Sequence, residues 1–248
     1  RRSMRKEDNM KFSCGKEIIL SAVQTTSKAA AGKSSIPALE GILMELEGNT
    51  LTVTGYDLDI GIKTSIEVNG IESGNIVINA RMAGDIIRKM PSGDITFECG
   101  GNNIAEISGR DTNFSVMCLS ADDYPNVPQV NPETSFTMPQ KLLKSMIVQT
   151  KFAVATVDNK PALMGCKFEL EDNVLSVAAV DGVRIALRQE PLTYNNMSFI
   201  VPAKTLEELT HILSDDNDKN VIVSVDKNQI SFTVDGYIMI SRLLDGDF

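Results

Sequence analysis

The chain has 248 residues, 42% of them hydrophobic and 23% charged, with a formal net charge of −9. That is ordinary for a globular protein large enough to bury a core without staples, and the acidity argues on its face against a nucleic-acid partner. No apolar run approaches the roughly 20 residues of a membrane span and the start lacks a signal-peptide core, so the chain reads as cytoplasmic.

Residues 1–9 precede the first patterned segment and read as an extension or remnant outside the fold. From there, Ile18, Ile19, Ala22 and Val23 recur at the spacing of one helix face. The small-residue loop Ala29–Ser35 looks superficially like a phosphate cradle, but it follows a helix and so cannot offer phosphate a helix N-terminus. Period-2 alternation predicts strands over Ile42–Leu46, Thr50–Gly55 and Gly61–Val68. Between the last two, Asp57-Leu58-Asp59 could be imagined as a paired-carboxylate metal site or hydrolase centre; a turn explains it better. A second helix is predicted over Arg81–Met90, with Met82, Ile86, Ile87 and Met90 apolar. Strands follow at Asp94–Glu98, Ile104–Ser108 and Asn113–Cys118, punctuated by turn signals such as Gly100-Gly101-Asn102.

At this point the pattern starts again. Phe12 recurs as Phe136, Pro37-Ala38-Leu39-Glu40-Gly41 as Pro161-Ala162-Leu163-Met164-Gly165, and Asp57 as Asp181, each 124 positions on. Asp111, Leu119 and Tyr124 answer at the same spacing to Asp235, Leu243 and Phe248. The repeat predicts two domains, 10–124 and 136–248, joined by a linker at 125–135. Helices are expected around Leu142–Ile147 and over Ala203–Asp215, and strands over Cys166–Leu170, Val174–Ala179, Val183–Gln189, Val221–Val225, Ile230–Val234 and Tyr237–Leu243. Each domain is α+β, with two helices packed on mostly antiparallel sheets.

Chemistry-bearing motifs are scarce. The one histidine, His211, sits among Leu209, Ile212 and Leu213 and reads as a helix-surface or core-edge residue, not a catalytic one. Cys14, Cys99, Cys118 and Cys166 form no CxxC pair and read as apolar fillers, and no Walker or GxSxG motif occurs. Neither a metal nor a cofactor is expected. Without tryptophan and with few aromatics, the chain offers no stacking platform for single strands. Charge is nonetheless segregated. The helical segments hold nine basic residues (Lys16, Lys28, Arg81, Arg88, Lys89, Lys141, Lys144, Lys151 and Lys204) against five acidic ones, so everything else carries the acid excess. Such helices suit sequence-independent attraction to phosphate.

The segments Met10-Lys11-Phe12, Ile36-Pro37-Ala38-Leu39, Ala121-Asp122-Asp123-Tyr124-Pro125-Asn126, Val180-Asp181-Gly182-Val183-Arg184-Ile185-Ala186 and Leu243-Leu244-Asp245-Gly246-Asp247-Phe248 resemble the bacterial sliding clamp family, the beta subunit of DNA polymerase III. The resemblance runs from Met10 to the end and implies the DNA-clamp fold. Family members carry three such domains and pair head to tail in a ring around duplex DNA, tethering the polymerase without catalysing anything themselves. This chain resembles the first two domains, with the third expected to be absent. By resemblance Lys33 matches a basic loop near DNA and Arg81 and Arg88 match channel-helix positions; Lys141 and Lys144 join them as expected duplex-facing residues. A pocket for clamp-binding peptides of the polymerase III catalytic subunit, the clamp loader and repair factors would include Leu163, Val180, Gly182, Val183, Arg184 and Ile185. Val183 departs from the histidine of many relatives. Phe114 and Val116 match the edge strand of the ring interface in a full-length head-to-tail homodimer. The alternative from the residues alone is a duplicated protein-interaction scaffold without nucleic-acid binding.

Overall fold

The computed structural model describes residues 9–100, 103–130, 135–156 and 160–248. Residues 1–8 of the expected extension, Gly101 and Asn102 of an expected turn, and 131–134 of the expected linker lie outside the described residues. The chain divides into two units at Val127/Pro128.

The first unit runs β1 (Met10–Gly15), α1 (Lys16–Thr26), β2 (Gly41–Glu47), β3 (Thr50–Tyr56), β4 (Ile60–Glu67), β5 (Asn69–Glu72), β6 (Gly74–Asn79), α2 (Ala80–Lys89), β7 (Asp94–Gly100), β8 (Ile104–Gly109) and β9 (Thr112–Leu119). Its strands pair antiparallel in the orders β4-β3-β2-β6 and β5-β1-β7-β8-β9. The two arrays meet where Val77 and Ile78 pair with Leu119 and Cys118. Helix α1 buries Ile19, Ala22, Val23 and Thr26, a stripe of i, i+3, i+4 and i+7, and lies beside α2. Asn79 caps α2 by accepting a bond from the Met82 N–H at 3.0 Å. Alternate residues of β2, β3 and β6 point under the helices, and Phe12 stacks on Phe97 at 5.1 Å within the same core. The opposite face of β2-β3-β6 holds a smaller cluster of Ala38, Leu39, Tyr56, Val77 and Tyr124, with Leu43 and Val127 packed against it. The Tyr124 hydroxyl donates to the Thr54 carbonyl at 3.3 Å, which satisfies the one polar atom that this burial would otherwise strand.

The second unit repeats this plan with β10 (Ser135–Pro139), α3 (Gln140–Thr150), β11 (Gly165–Glu171), β12 (Val174–Val180), β13 (Ile185–Pro191), β14 (Met197–Pro202), α4 (Ala203–Ile212), β15 (Asn220–Val225), β16 (Gln229–Val234) and β17 (Tyr237–Arg242). Strand order is β13-β12-β11-β14 and β10-β15-β16-β17, the same as in the first unit once β5 is removed. The arrays meet at an Ile200–Leu244 bridge, the counterpart of Val77–Leu119. Even local devices recur: Thr26 and Thr150 each donate a hydroxyl to the carbonyl four residues back at 2.8 Å.

Three expectations need correction. The spacing of 124 is not constant: Ala80 answers to Ala203, and the hairpin turns put Arg110 (φ 46) opposite Asp235 (φ 47), so Asp111 is not the counterpart of Asp235, nor Leu119 that of Leu243. Loops of unequal length and the inserted β5 cause these slips. Met82, expected in the apolar stripe of α2, is exposed; Ala83, Gly84 and Ile87 form the buried face. On β9, alternation turns Val116 into the core and leaves Phe114 half-buried against it, while Met117 points outward. From Thr112 to Met117 this strand pairs with β8 on one side and has no second strand neighbour among the described residues.

Candidate functional site

One helix end in the first unit is held by a side chain that the sequence presents as free charge. Lys16 Nζ donates to the carbonyls of Arg88 (3.1 Å) and Met90 (2.7 Å) at the C-terminus of α2, a favourable place for a cation. Its counterpart, Gln140, is fully buried. Gln140 Nε2 donates to the Asn220 carbonyl (3.1 Å) and Asp235 Oδ1 (3.3 Å), and its Oε1 accepts from the Ser214 N–H (2.8 Å). The helix N-termini are finished alike, Lys16 and Gln140 donating their N–H groups to Gly93 and Lys219.

The remaining basic residues differ between the units. Lys33 is exposed in the loop before Pro37, and Lys28 and Lys89 are exposed as well. Arg81 and Arg88 straddle Asp85 at 4.0 and 3.0 Å; the Arg81 side chain is 92% exposed. In the second unit Lys141 and Lys204 are exposed, but Lys144 pairs with Asp215 at 2.9 Å and Lys151 pairs with Glu207. The surplus of solvated positive charge therefore lies on the helix side of the first unit. Guanidinium and ammonium groups so displayed attract phosphate without reading bases.

Among the described residues, the predicted pocket residues Val180 and Ile185 fall in one hollow and Arg184 in another. Val180 and Ile185 face each other across β12 and β13 and, with Ala178, Leu187, Lys167 and Phe248, line a groove of about 470 Å³ on the sheet face away from the core. Arg184 instead lines a hollow of about 630 Å³ with Phe152, Met164, Pro202, Lys204 and Leu244, and its guanidinium lies 5.8 Å over the Phe152 ring. Leu163, Gly182 and Val183 line neither. Leu163 is half-buried and tied by backbone bonds to Ala155 and Lys160, whereas Val183 is 92% exposed beside Gly182 (φ +88). Phe152, Met164, Leu187 and Phe248 were missed. The clue for Leu187 was its alternation with Ile185, a second apolar row opposite the buried Ala186.

The turn that separates the two hollows is built by Asp181, whose Oδ1 accepts from the N–H groups of Val183 (3.2 Å) and Arg184 (3.1 Å). Desolvation opposes its ionisation, but these bonds and the Arg184 side chain at 2.7 Å outweigh it and hold the carboxyl below its ordinary range. Asp57 accepts from Asp59 and Ile60 in the same manner, at 3.0 and 2.7 Å. Both aspartates are thus turn formers, and no group of three or more His, Cys, Asp or Glu could hold a metal ion among the described residues. His211 lies on the surface of α4, 3.7 Å from Glu207. All four cysteines are buried, and burial pushes the Cys14 thiol up to about 12 and the Cys166 thiol up to about 11.

Two sequence models describe successive stretches of the chain: the N-terminal domain of the DNA polymerase III beta subunit over residues 10–128 and its central domain over residues 137–248. The chain belongs to the DNA polymerase III beta subunit family. Among curated relatives it is 33% identical to the beta sliding clamps of Halalkalibacterium halodurans and Bacillus subtilis, in each case over 96% of this chain and 66% of the relative. The chain thus spans just under two thirds of those beta clamps. The solved sliding clamp of Bacillus subtilis superposes with a TM-score of 0.93 at 32% identity, over 97% of this chain and 66% of that one. A Pseudomonas aeruginosa sliding clamp bound to griselimycin superposes at 0.90 with 26% identity, again over 97% and 66%. In beta subunit terms, Lys33, Arg81, Arg88, Phe114 and Val116 lie in the N-terminal domain, and Lys141, Lys144 and both hollows in the central domain. No helix of the described residues is long and apolar enough to cross a membrane.

Proposed function

We propose that the chain supplies the first two domains' share of a DNA sliding clamp, a non-catalytic processivity factor that holds duplex DNA by topology and tethers a polymerase to it. The observation that carries this reading is the solvated basic surplus beside α1 and α2 in a protein whose net charge is −9. Lys33, Arg81, Arg88, Lys141 and Lys144 are its duplex-facing set. Weak contact to phosphate alone leaves no deep well along the duplex, and that is the condition for sliding. Closing a ring requires a heterologous interface, and the open stretch of β9 carrying Phe114 and Val116 is the side from which a further strand would pair. Partners with clamp-binding peptides, including the polymerase catalytic subunit, clamp loader and repair factors, would seat a Leu or Phe anchor against Val180 and Ile185. Changing the five basic residues to Glu tests the reading by duplex binding across a salt series. Parent-like binding at every salt concentration would sink it and favour an interaction scaffold that does not meet nucleic acid.

A further inference from the structure

The groove of the second unit has a filled counterpart in the first. There Tyr124 follows the strand-ending turn back across the sheet, buried, with its hydroxyl bonded to Thr54, and Val127 lies over Gly61. In the second unit the stretch after β17, Leu243–Phe248, lays a phenylalanine, with no hydroxyl to donate, beside the groove on the same sheet face, and Phe248 is 37% exposed. Something else must hold it. Lys167 Nζ lies 2.8 Å from Asp247 Oδ1 and 3.2 Å from Glu169 Oε1. The lysine side chain is 15% exposed and stands directly opposite Ala178 in the sheet, at the floor of the groove. The place of Lys167 in the first unit's sheet is held by Leu43, which cannot form an ion pair. A buried hydrogen bond fastens the one arm and an ion pair the other, and the Asp247 end of that pair is 77% exposed.

We infer that the Lys167–Asp247 pair is a salt-sensitive latch that holds the arm against the sheet so that Phe248 forms one wall of the groove. Lys167 is then a positioning residue: it orders the wall against which an apolar anchor packs. Its consequence for peptide capture rests on the reading of the groove as an anchor seat; the latch itself does not. Asp247 also accepts from the Phe248 N–H at 2.8 Å, which couples the carboxylate's position to the direction in which the ring leaves the chain. Screening weakens a pair so exposed, whereas a buried hydroxyl bond such as that of Tyr124 is indifferent to salt.

In the 248-residue chain, the ring-current shifts that Phe248 imposes on the methyls of Val180, Ile185 and Leu187 read the wall directly by NMR, with Phe248→Ala as the reference for its loss. Those shifts should collapse toward the reference in Lys167→Met and Asp247→Asn, fall in the parent as salt rises from about 50 mM to about 500 mM, and recover in Lys167→Arg. Unchanged shifts in Lys167→Met or Asp247→Asn overturn the latch. The probe for the anchor seat is acetyl-Leu-Phe-amide, whose affinity should fall about three- to fivefold in Lys167→Met and return in Lys167→Arg. Equal affinity for parent and Lys167→Met overturns the positioning role. A parent that ignores the dipeptide while its methyl shifts follow salt and variants as stated supports the latch and defeats the anchor-seat reading alone.

Discussion

The two units share strand order, helix placement and turn chemistry, yet their side chains use the same positions to opposite ends. On the helix side, Lys28 and Glu40 of the first unit stand where the second has Phe152 and Met164, the apolar lining of the Arg184 hollow. On the outer sheet face, Thr54, Tyr56, Gly61 and Lys63 stand where the second has Ala178, Val180, Ile185 and Leu187. The first unit closes its outer face with its own Tyr56 and Tyr124 and displays charge beside its helices; the second pairs much of its charge and leaves apolar surface open, with Ile185 75% exposed. The backbone plan therefore requires neither groove nor basic surface. Each is a choice of side chains laid on a common scaffold.

The comparison can be broken most forcefully at the Lys16/Gln140 position. Replacing the fully buried Gln140 with Ala strips a partner from the half-buried Ser214 N–H and from the Asn220 carbonyl, while Asp235 keeps Lys219 at 3.0 Å, and should cost about 2–3 kcal/mol, since a stranded buried group costs about 1–3 kcal/mol. Lys16→Met in the first unit should cost about 1 kcal/mol, because the carbonyls it leaves can be hydrated. Urea denaturation of both variants measures the difference. Similar losses would show that the two helix ends are fastened equally and that the buried network is no more than decoration.

Next in size is the division of charge. Reversing Lys33, Arg81 and Arg88 to Glu should weaken duplex binding at low salt by about tenfold or more and flatten its salt dependence by about one unit of slope per contact. Reversing Lys141 and Lys144 should do less per residue, because Lys144 is already paired with Asp215. Equal loss per charge in the two units, measured by fluorescence anisotropy, would contradict the placement of the surplus in the first.

Much of this plan was legible in the sequence because it is local. Period-2 alternation located β2, β3, β8, β12 and β16 closely, and the i, i+4 stripes located the helices. Strands β1, β6, β10 and β14 escaped that reading: β1 is extended because Phe12 and its neighbours pair with β7, more than 80 residues later. Strand β5 escaped for a second reason, since it has no counterpart in the repeat. Charge was misjudged for the same cause. Lys16, Lys144 and Lys151 look like free lysines until folding brings Met90, Asp215 and Glu207 beside them. The candidate pocket residues were named by resemblance alone, and adjacency in sequence hid the fact that the Asp181 turn sends Arg184 and Ile185 to different hollows.

A smaller effect is expected at Gly84, the counterpart of Glu207. No heavy atom lies within 4 Å of where its Cβ would stand, and it occupies the interior of α2. Gly84→Ala should therefore stabilise the first unit by about 0.5–1 kcal/mol through helix propensity. A loss on thermal or urea denaturation would mean that the buried face of α2 needs the missing side chain.

The smallest effect sharpens the comparison of the two Asx turns. Asp57 and Asp181 fold the chain identically, but the next residue is Leu58 (φ +80) in the first unit and Gly182 (φ +88) in the second. A left-handed conformation costs an L-residue about 1–2 kcal/mol, which glycine avoids. Against this, glycine loses more chain entropy on folding, by about 0.5–1 kcal/mol, and Leu58 is only partly covered, so little packing is forfeited. Leu58→Gly should consequently raise the stability of the first unit by about 0.5 kcal/mol, the residue of two opposing terms. If denaturation shows instead a loss of about 1 kcal/mol or more, Leu58 makes contacts worth keeping a strained backbone for, and the turn in the first unit is a packing element that the second unit's glycine has given up.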